Sequence, residues 1–270
     1  KYKLSPARPA EEKADCTVTV EAIRSPAQAE DMLKKCRQAA FVTVYALPDL
    51  SVLSVQWDTG ADTAVAAELQ ADAYGGDWHA LLTSLFSADI RKVGHHIKDT
   101  MRALLERGLP AEGYVFDTAL AAYLLDATAG SYDLQRLFVA YFSEELPKPA
   151  HLERDAFAPL GDTAAAWAAL HSYCSAVAAL YGILPQKLRE ENMTELYETV
   201  ELPLCAVLAR MERRGFLVDG KALAAFGEDM ADRLAALEQR IYEAAGTKFN
   251  INSPKQLGTV LFEKMQLPHG

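Results

Sequence analysis

Apolar and polar positions in the N-terminal part of the chain predict the strands of a sheet. Residues 16–24 alternate apolar with polar side chains, a pattern typical of an edge strand. Residues 39–57 are rich in β-branched and aromatic side chains and break at Pro48, which predicts a hairpin at the centre of the sheet. Residues 63–69 could add a third strand, although their alanine-rich run fits a helix equally well.

Helical spacing of apolar residues dominates the middle of the chain. The predicted helices cover residues 25–37, 77–86, 116–126 and 162–182, with others ending near Gly108 and beginning at Asp133. A short strand precedes the helix that ends near Gly108, and residues 147–159 are predicted to form a loop. Strands that come first and helices that follow favour an α/β domain with a mixed sheet.

The pattern becomes purely helical from residue 200 onward. A first helix is predicted to begin at Pro203 and to close at Gly215, where glycine can adopt the left-handed conformation. Asp219 is the predicted N-cap of a longer helix that ends near Gly246. Ser253, followed by proline, is the predicted N-cap of a third helix.

Composition and charge narrow the class of protein. The chain has 270 residues, of which 50% are hydrophobic, and contains four scattered cysteines without metal-binding spacing. No apolar run approaches the ~20 residues that cross a bilayer, and residues 1–15 resemble a lead-in or linker. We therefore expect a cytoplasmic protein with reduced thiols and no membrane segment.

The net charge argues against a generally basic surface for nucleic acid. The formal charge is −10, and residues 191–270, with twelve acids and nine bases, contribute only −3 of it. A local basic face would still suffice for DNA binding. The first 190 residues, which carry −7, are the poorer candidate for holding DNA.

One polar string near the C-terminus has the chemistry that a backbone phosphate requires. The candidate contacts are the amides, hydroxyl and ammonium of Asn250, Asn252, Ser253, Lys255 and Gln256. The simpler interpretation, which local chemistry alone favours, is a well-capped helix that binds nothing. The rest of the chain supplies the context that favours phosphate binding.

Several segments in the right order resemble one protein family. The string ELPLCAVLARMERRGFLVD, followed by FNINSPKQLGTVLFEK, strongly resembles the start of the polymerase region of family A DNA polymerases, the bacterial DNA polymerase I family. KVGHHIKDTMRALLERGL and VFDTALAAYLLDATAGSYDLQRL resemble the 3′–5′ exonuclease domain that precedes it. The resemblance implies a ribonuclease-H-like mixed sheet with surrounding helices over residues 16–191. An all-helical thumb segment would follow over residues 192–270.

The resemblance also indicates that the exonuclease site is degenerate. Two-metal hydrolysis of a phosphodiester requires several converging carboxylates. Matched to the family's motifs, the four carboxylate positions hold Val44, Ala46, Thr100 and Cys174, so we expect no catalytic residue and no metal. Asp99 is adjacent to Thr100, but one helical step turns a side chain by ~100°, so Asp99 is expected to point elsewhere.

Two other pairs of residues could in principle bind a metal or act as a nucleophile and its base. His95 and His96 could be metal ligands, yet no third ligand is evident and surface or packing roles are expected. Cys174 and His171 have the spacing of a nucleophile and a base, but no oxyanion motif accompanies them. Asp117 is expected to cap a helix.

The resemblance implies a function for the intact parent. The parent would be a DNA-directed DNA polymerase in replication and repair, using magnesium and binding primer–template DNA through its thumb. The chain stops before the palm and fingers, so we expect a monomeric fragment, without cofactor or catalysis, that serves as a scaffold and partial DNA-binding module. Two alternatives stay open: an active 3′–5′ exonuclease of the ribonuclease D type, and a non-catalytic interaction module.

Overall fold

The described chain folds as two compact units. The computed structural model describes residues 17–60 and 63–268, so the predicted lead-in at 1–15 lies outside the described residues. The first unit ends at Arg214 and the second begins at Gly215. This division says which residues pack together and not which family each belongs to, so the predicted boundary at 191/192 stays a prediction.

The first unit is built on a mixed six-stranded sheet. The strands are β1 (Thr17–Ile23), β2 (Val42–Ala46), β3 (Val52–Gly60), β4 (Thr63–Gln70), β5 (Lys92–Gly94) and β6 (Tyr114–Asp117). Their order is β1-β4-β3-β2-β5-β6; β2, β3 and β4 pair antiparallel, and the other pairs are parallel. The predicted edge strand, central hairpin and mixed sheet are confirmed.

Two ambiguous or missed segments are strands. Residues 63–69 form β4 and not a helix, because β4 is held between β1 and β3 by both neighbours. Phe116 and Asp117, predicted to begin a helix, are the last residues of β6, and the helix begins at Thr118. The prediction failed there because a four-residue strand is too short to show a period.

Helices surround this sheet. They are α1 (Pro26–Gln38), α2 (Trp78–Leu85), α3 (Ile97–Glu106), α4 (Thr118–Leu125), α5 (Leu134–Phe142), α6 (Thr163–Glu190), the single turn α7 (Thr194–Leu196) and α8 (Leu202–Arg214). Short 3₁₀ turns lie at Pro149–Leu152 and Arg154–Phe157, within the predicted loop. Local caps explain where several helices begin. The Ser25 hydroxyl accepts from the Gln28 amide, and the Asp77 carboxylate accepts from the Ala80 amide.

Two helix boundaries differ from the prediction. Helix α6 continues past Gly182 and through Pro185 to Glu190, because its later turns still bury apolar residues in the core. Pro203 does not begin a helix, since a π-helical turn at Tyr197–Glu201 already leads into α8.

Helix α6 is long and apolar enough, by length and composition alone, to cross a membrane. Core helices of globular proteins pass the same test. Half of its most apolar window is buried inside the fold, where Tyr173 and Val177 pack in the core with Phe116 and Phe138. The expectation that the protein does not contact a membrane stays a prediction.

The two faces of the sheet contact different helices. Val44 packs in a core with residues of α1 and α2, whereas Tyr45, the next residue, stacks edge-on with Tyr173 of α6 at 5.3 Å between ring centroids. Alternation along β2 therefore directs its even-numbered residues toward one core and its odd-numbered residues toward α6.

The second unit is helical. It contains α9 (Gly220–Ala245), α10 (Pro254–Gly258) and a π-helical turn at Thr259–Lys264. The predicted ends of α9 are confirmed: the Asp219 carboxylate accepts from the first free amides, and Gly246 closes the helix at φ 65°. Gly215 also has the predicted left-handed conformation, at φ 62°.

Candidate functional site

Three of the four degenerate positions line one cavity. Val44 and Ala46 on β2 and Thr100 on α3 share a cavity of about 440 Å³ at the junction of β2, β5 and α3. Cys174 is not part of its lining. The structure thus brings three predicted positions together and places the fourth against the other face of β2.

Cys174 is a buried, neutral thiol in the interface between α6 and the sheet. Its Sγ lies 3.4 Å from the Thr43 carbonyl oxygen and 3.6 Å from that of Ser54. Burial raises the pKa of the Cys174 thiol to about 12. A protonated thiol is a poor ligand for a hard cation, which prefers oxygen.

Asp99 also reaches the cavity, contrary to expectation. Residues of α3 from Asp99 to Glu106 line the cavity, and the neighbours Asp99 and Thr100 are both among them. Asp99 is exposed, and two other carboxylates, those of Asp49 and Glu106, also line the cavity.

The donor set does not fit a catalytic metal pair. No residue of β2, from Val42 to Ala46, is acidic, so neither face of this central strand offers a carboxylate. Within residues 17–60 and 63–268, no three side chains of His, Cys, Asp and Glu gather as a cation site. Val44, Ala46 and Thr100 therefore offer no carboxylate to the two magnesium ions that phosphodiester cleavage uses.

His95 and His96 lie at the junction of β5 and α3, and both line the same cavity. His95 Nδ1 is 2.8 Å from Thr118 Oγ1, and the two histidine rings meet edge-on at 4.4 Å. Burial, with a smaller effect of His96, holds the pKa of His95 well below its usual value. His96 has a left-handed backbone, at φ 51°.

Asp117 stabilises this junction by capping two helices. Its carboxylate accepts from the Ile97 amide at 2.9 Å, at the start of α3, and from the Ala119 amide at 2.8 Å, at the start of α4. Burial raises the pKa of Asp117, while the amide donors oppose that rise. The predicted capping role is confirmed, and the second helix that it caps was not foreseen.

A polar network that sequence reasoning missed joins α6 to the sheet. His171 Nδ1 lies 3.1 Å from Ser54 Oγ on β3, and His171 Nε2 lies 3.1 Å from Glu68 Oε1 on β4. Ser54 and Glu68 are register partners across the two strands. Next to this network, the side-chain amide of Gln56 donates to Ser175 Oγ at 3.0 Å.

The order serine, histidine and carboxylate has the geometry of a hydrolytic triad without its function. The Ser54 hydroxyl is completely buried, so no substrate carbonyl can reach it. The Trp167 ring also stacks on His171, with 5.8 Å between the two centroids. These contacts make the network a structural connection between α6 and the sheet.

The candidate phosphate contacts on the second unit divide into two groups. Three of the five side chains are used internally. Asn250 Oδ1 accepts from the backbone N–H of Asn252 at 3.0 Å, Gln256 Oε1 from the backbone N–H of Asn250 at 2.8 Å, and Ser253 Oγ from the backbone N–H of Gln256 at 3.4 Å. The predicted helix cap at Ser253 is thereby confirmed.

The side-chain amide of Asn252 and the Lys255 ammonium remain available. Both residues are exposed, and neither side chain bonds to another residue in the described part of the chain. An exposed amide and an exposed ammonium, three residues apart, can reach neighbouring phosphates of a strand. They are the two groups of this segment that an external anion can engage without breaking a contact of the fold.

Comparison with known proteins gives this geometry a family. Residues 21–189 match the 3′–5′ exonuclease family, and residues 220–270 match DNA polymerase family A. DNA polymerase I of Geobacillus stearothermophilus is 40% identical over 167 residues, which are 62% of this chain and 19% of that protein. The chain thus spans about a fifth of the length of this curated relative.

Solved structures agree with the sequence matches. The polymerase domain of Pol1 from M. smegmatis, in complex with DNA primer–template and dNTP, superposes with a TM-score of 0.69 at 26% identity, covering 92% of this chain and 41% of that one. Brucella melitensis NrnC bound to pGG superposes with a TM-score of 0.52 at 18% identity, and the match covers 76% of this chain and 98% of that one. The second likeness concerns the fold alone.

Proposed function

Because the chain belongs to the 3′–5′ exonuclease family and its last fifty-one residues match DNA polymerase family A, we propose that it is part of a DNA polymerase I. The observation that carries the proposal is the superposition of 92% of the chain on one polymerase domain, across both matched segments. The intact protein would be a DNA-directed DNA polymerase of replication and repair. Residues 16–191 would be its exonuclease-like domain and residues 192–270 the start of its thumb.

The exonuclease-like domain is proposed to be a scaffold without catalysis. Val44, Ala46 and Thr100 offer no charged oxygen to a cation, and β2 carries no carboxylate on either face. The contact of Cys174 with the Thr43 carbonyl packs α6 directly on that strand. Magnesium would act only in the polymerase region of the intact protein, and we expect that protein to be cytoplasmic and monomeric.

The second unit is proposed to contact the backbone of primer–template DNA. The available groups are the side-chain amide of Asn252 and the Lys255 ammonium, while Asn250, Ser253 and Gln256 form hydrogen bonds within the segment. Contacts with phosphates carry no sequence information and weaken as salt displaces the protein from the DNA.

The experiment is primer extension by the full-length protein. A 5′-labelled primer annealed to a longer template is incubated with magnesium and the four deoxynucleotides, with and without a chelator. We expect chelator-sensitive lengthening of the primer. A full-length protein that shortens the primer and never extends it would instead indicate an exonuclease of the ribonuclease D type. A primer left unchanged would favour a non-catalytic interaction module.

A further inference from the structure

Helix α3 borders both the cavity beside β2 and helix α8. Thr100 lines the cavity beside β2, Met101 is buried against α8, and Ile97 borders both the cavity and the core with α8. From α8, Cys205 and Ala209 complete this small core, and Ala209 is completely buried. The helix that lines the degenerate site therefore also holds α8.

Ion pairs border this core on its exposed side. The Lys98 ammonium donates to the Glu212 carboxylate, and Arg102 Nε lies 3.6 Å from the same carboxylate. The hydrogen bond to Glu212 raises the pKa of Lys98. One carboxylate of α8 thus engages two cations of α3, and the three side chains are 35–40% exposed.

Glu212 lies close to the boundary between the two units. Glu212 lies two residues before Arg214, which is the last residue of the first unit, and Gly215 begins the second unit. α8 falls between the segments that match the exonuclease and polymerase families, at 21–189 and 220–270. α8 is thus the last helix of the first unit and directly precedes the second unit in the chain.

We propose that the α3–α8 contact, formed by the Ile97–Met101–Cys205–Ala209 core and the Glu212 ion pairs, stabilises the helix that leads into the polymerase segment, and that primer–template binding depends on this stability. This inference rests on the proposed function. It gives the exonuclease-like domain a role that needs no metal: α3 holds α8 in place. Glu212, Lys98 and Arg102 are positioning residues, because they touch neither DNA nor nucleotide in this account.

The test uses the full-length protein with Glu212→Gln, which removes both ion pairs and preserves side-chain shape. Glu198→Gln is the matched control, since Glu198 is an exposed carboxylate of the same helical segment and forms no ion pair among the described residues. The readouts are kcat and KM for primer–template in steady-state extension, hydrogen exchange at the amides of Leu202–Arg214, and the thermal midpoint.

We expect Glu212→Gln to speed exchange in α8 and to raise KM for primer–template about two- to fivefold, the range typical of exposed ion pairs, with kcat unchanged. Lys98→Met combined with Glu212→Gln should add little, because both changes remove the same pair. Faster exchange with an unchanged KM, unchanged exchange, or an equal effect in Glu198→Gln would each overturn the inference.

The native protein separates this inference from the function beneath it. If the native protein extends primers and Glu212→Gln has the same exchange in α8 and the same KM as the native protein, the positioning role is overturned. The proposed function would then still stand. Absence of primer extension by the native protein would overturn both.

Discussion

The Cys174 thiol donates toward the Thr43 carbonyl oxygen at 3.4 Å, so helix α6 lies directly against the central strand β2. In a two-metal nuclease, carboxylates and cations must occupy the space around such a strand. Here that space is divided. Side chains of α6 fill one face, and the other face presents Val44 and Ala46, and no carboxylate of β2, to the cavity.

Restoring one carboxylate should not restore hydrolysis. Val44 is 5% exposed, so Val44→Asp places one unpaired carboxylate in the core, and we expect it to lower the free energy of unfolding by about 2–4 kcal/mol. Release of mononucleotides from single-stranded DNA should stay at background. Val20→Asp, on the exposed edge strand β1, is the control and should change unfolding little. Metal-dependent nuclease activity in Val44→Asp would contradict this.

The DNA contact on the second unit is tested by removing its two available groups. Asn252→Ala with Lys255→Ala should weaken primer–template binding equally for unrelated sequences. It should also reduce the slope of log affinity against log salt by about 1, because one phosphate contact with a cation is lost. Fluorescence anisotropy at several salt concentrations measures both quantities. Lys34→Ala, on the exposed surface of α1, is the control; identical slopes in all three proteins would leave Ser253 and its neighbours a helix cap only.

The network around His171 should stabilise the fold. His171→Ala leaves the Ser54 hydroxyl and the Glu68 carboxylate without this partner, and we expect a loss of about 1–3 kcal/mol in the free energy of unfolding. Urea denaturation measures it, with His79→Ala, an exposed histidine of α2, as the control. If His171→Ala and His79→Ala unfold at the same urea concentration, the network does not stabilise the fold.

A buried lysine should give the fold a distinctive response to pH. The Lys92 ammonium donates to the carbonyl oxygens of Leu85, Ser87 and Ile90 at 3.1, 2.8 and 2.6 Å. Burial lowers the pKa of Lys92 from 10.5 to about 8. Between these two values the unfolded chain binds more protons than the folded one, so folding stability gains from Lys92 as pH rises from 8 to 10.

Lys92→Met removes that titration and leaves three buried carbonyls without a donor. We expect Lys92→Met to lower the free energy of unfolding at pH 7 by about 2–4 kcal/mol, and its difference from the native protein to widen between pH 8 and 10. Lys34→Met, an exposed lysine, should show neither effect. A difference that narrows over this pH range would show that the folded state prefers the charged lysine.

Local chemistry in the sequence predicted much of the fold. Asp219 and Ser253 cap their helices as expected because a cap depends on residues two or three positions away. Strand β6 was missed because it has only four residues and its pairing with β5 comes from elsewhere in the chain.

The candidate site divides in the same way. The lack of acids on β2 is visible in the sequence, since it depends on residue type alone. The sequence does not show which face of β2 meets α6, because that depends on the contact between residues 43 and 174, which are far apart in the chain. The His171 network is likewise formed by residues 117 and 103 positions apart, with no local pattern to announce them.

The central claim is that the metal site of this exonuclease domain has been lost, and one nuclease assay tests it most directly. The full-length protein is incubated with 3′-labelled single-stranded DNA and either magnesium or manganese, without deoxynucleotides. We expect no release of labelled mononucleotide above that from a mock preparation, because the four carboxylate positions hold Val44, Ala46, Thr100 and Cys174. Mononucleotide release that a chelator abolishes, and that the mock preparation lacks, would contradict the claim.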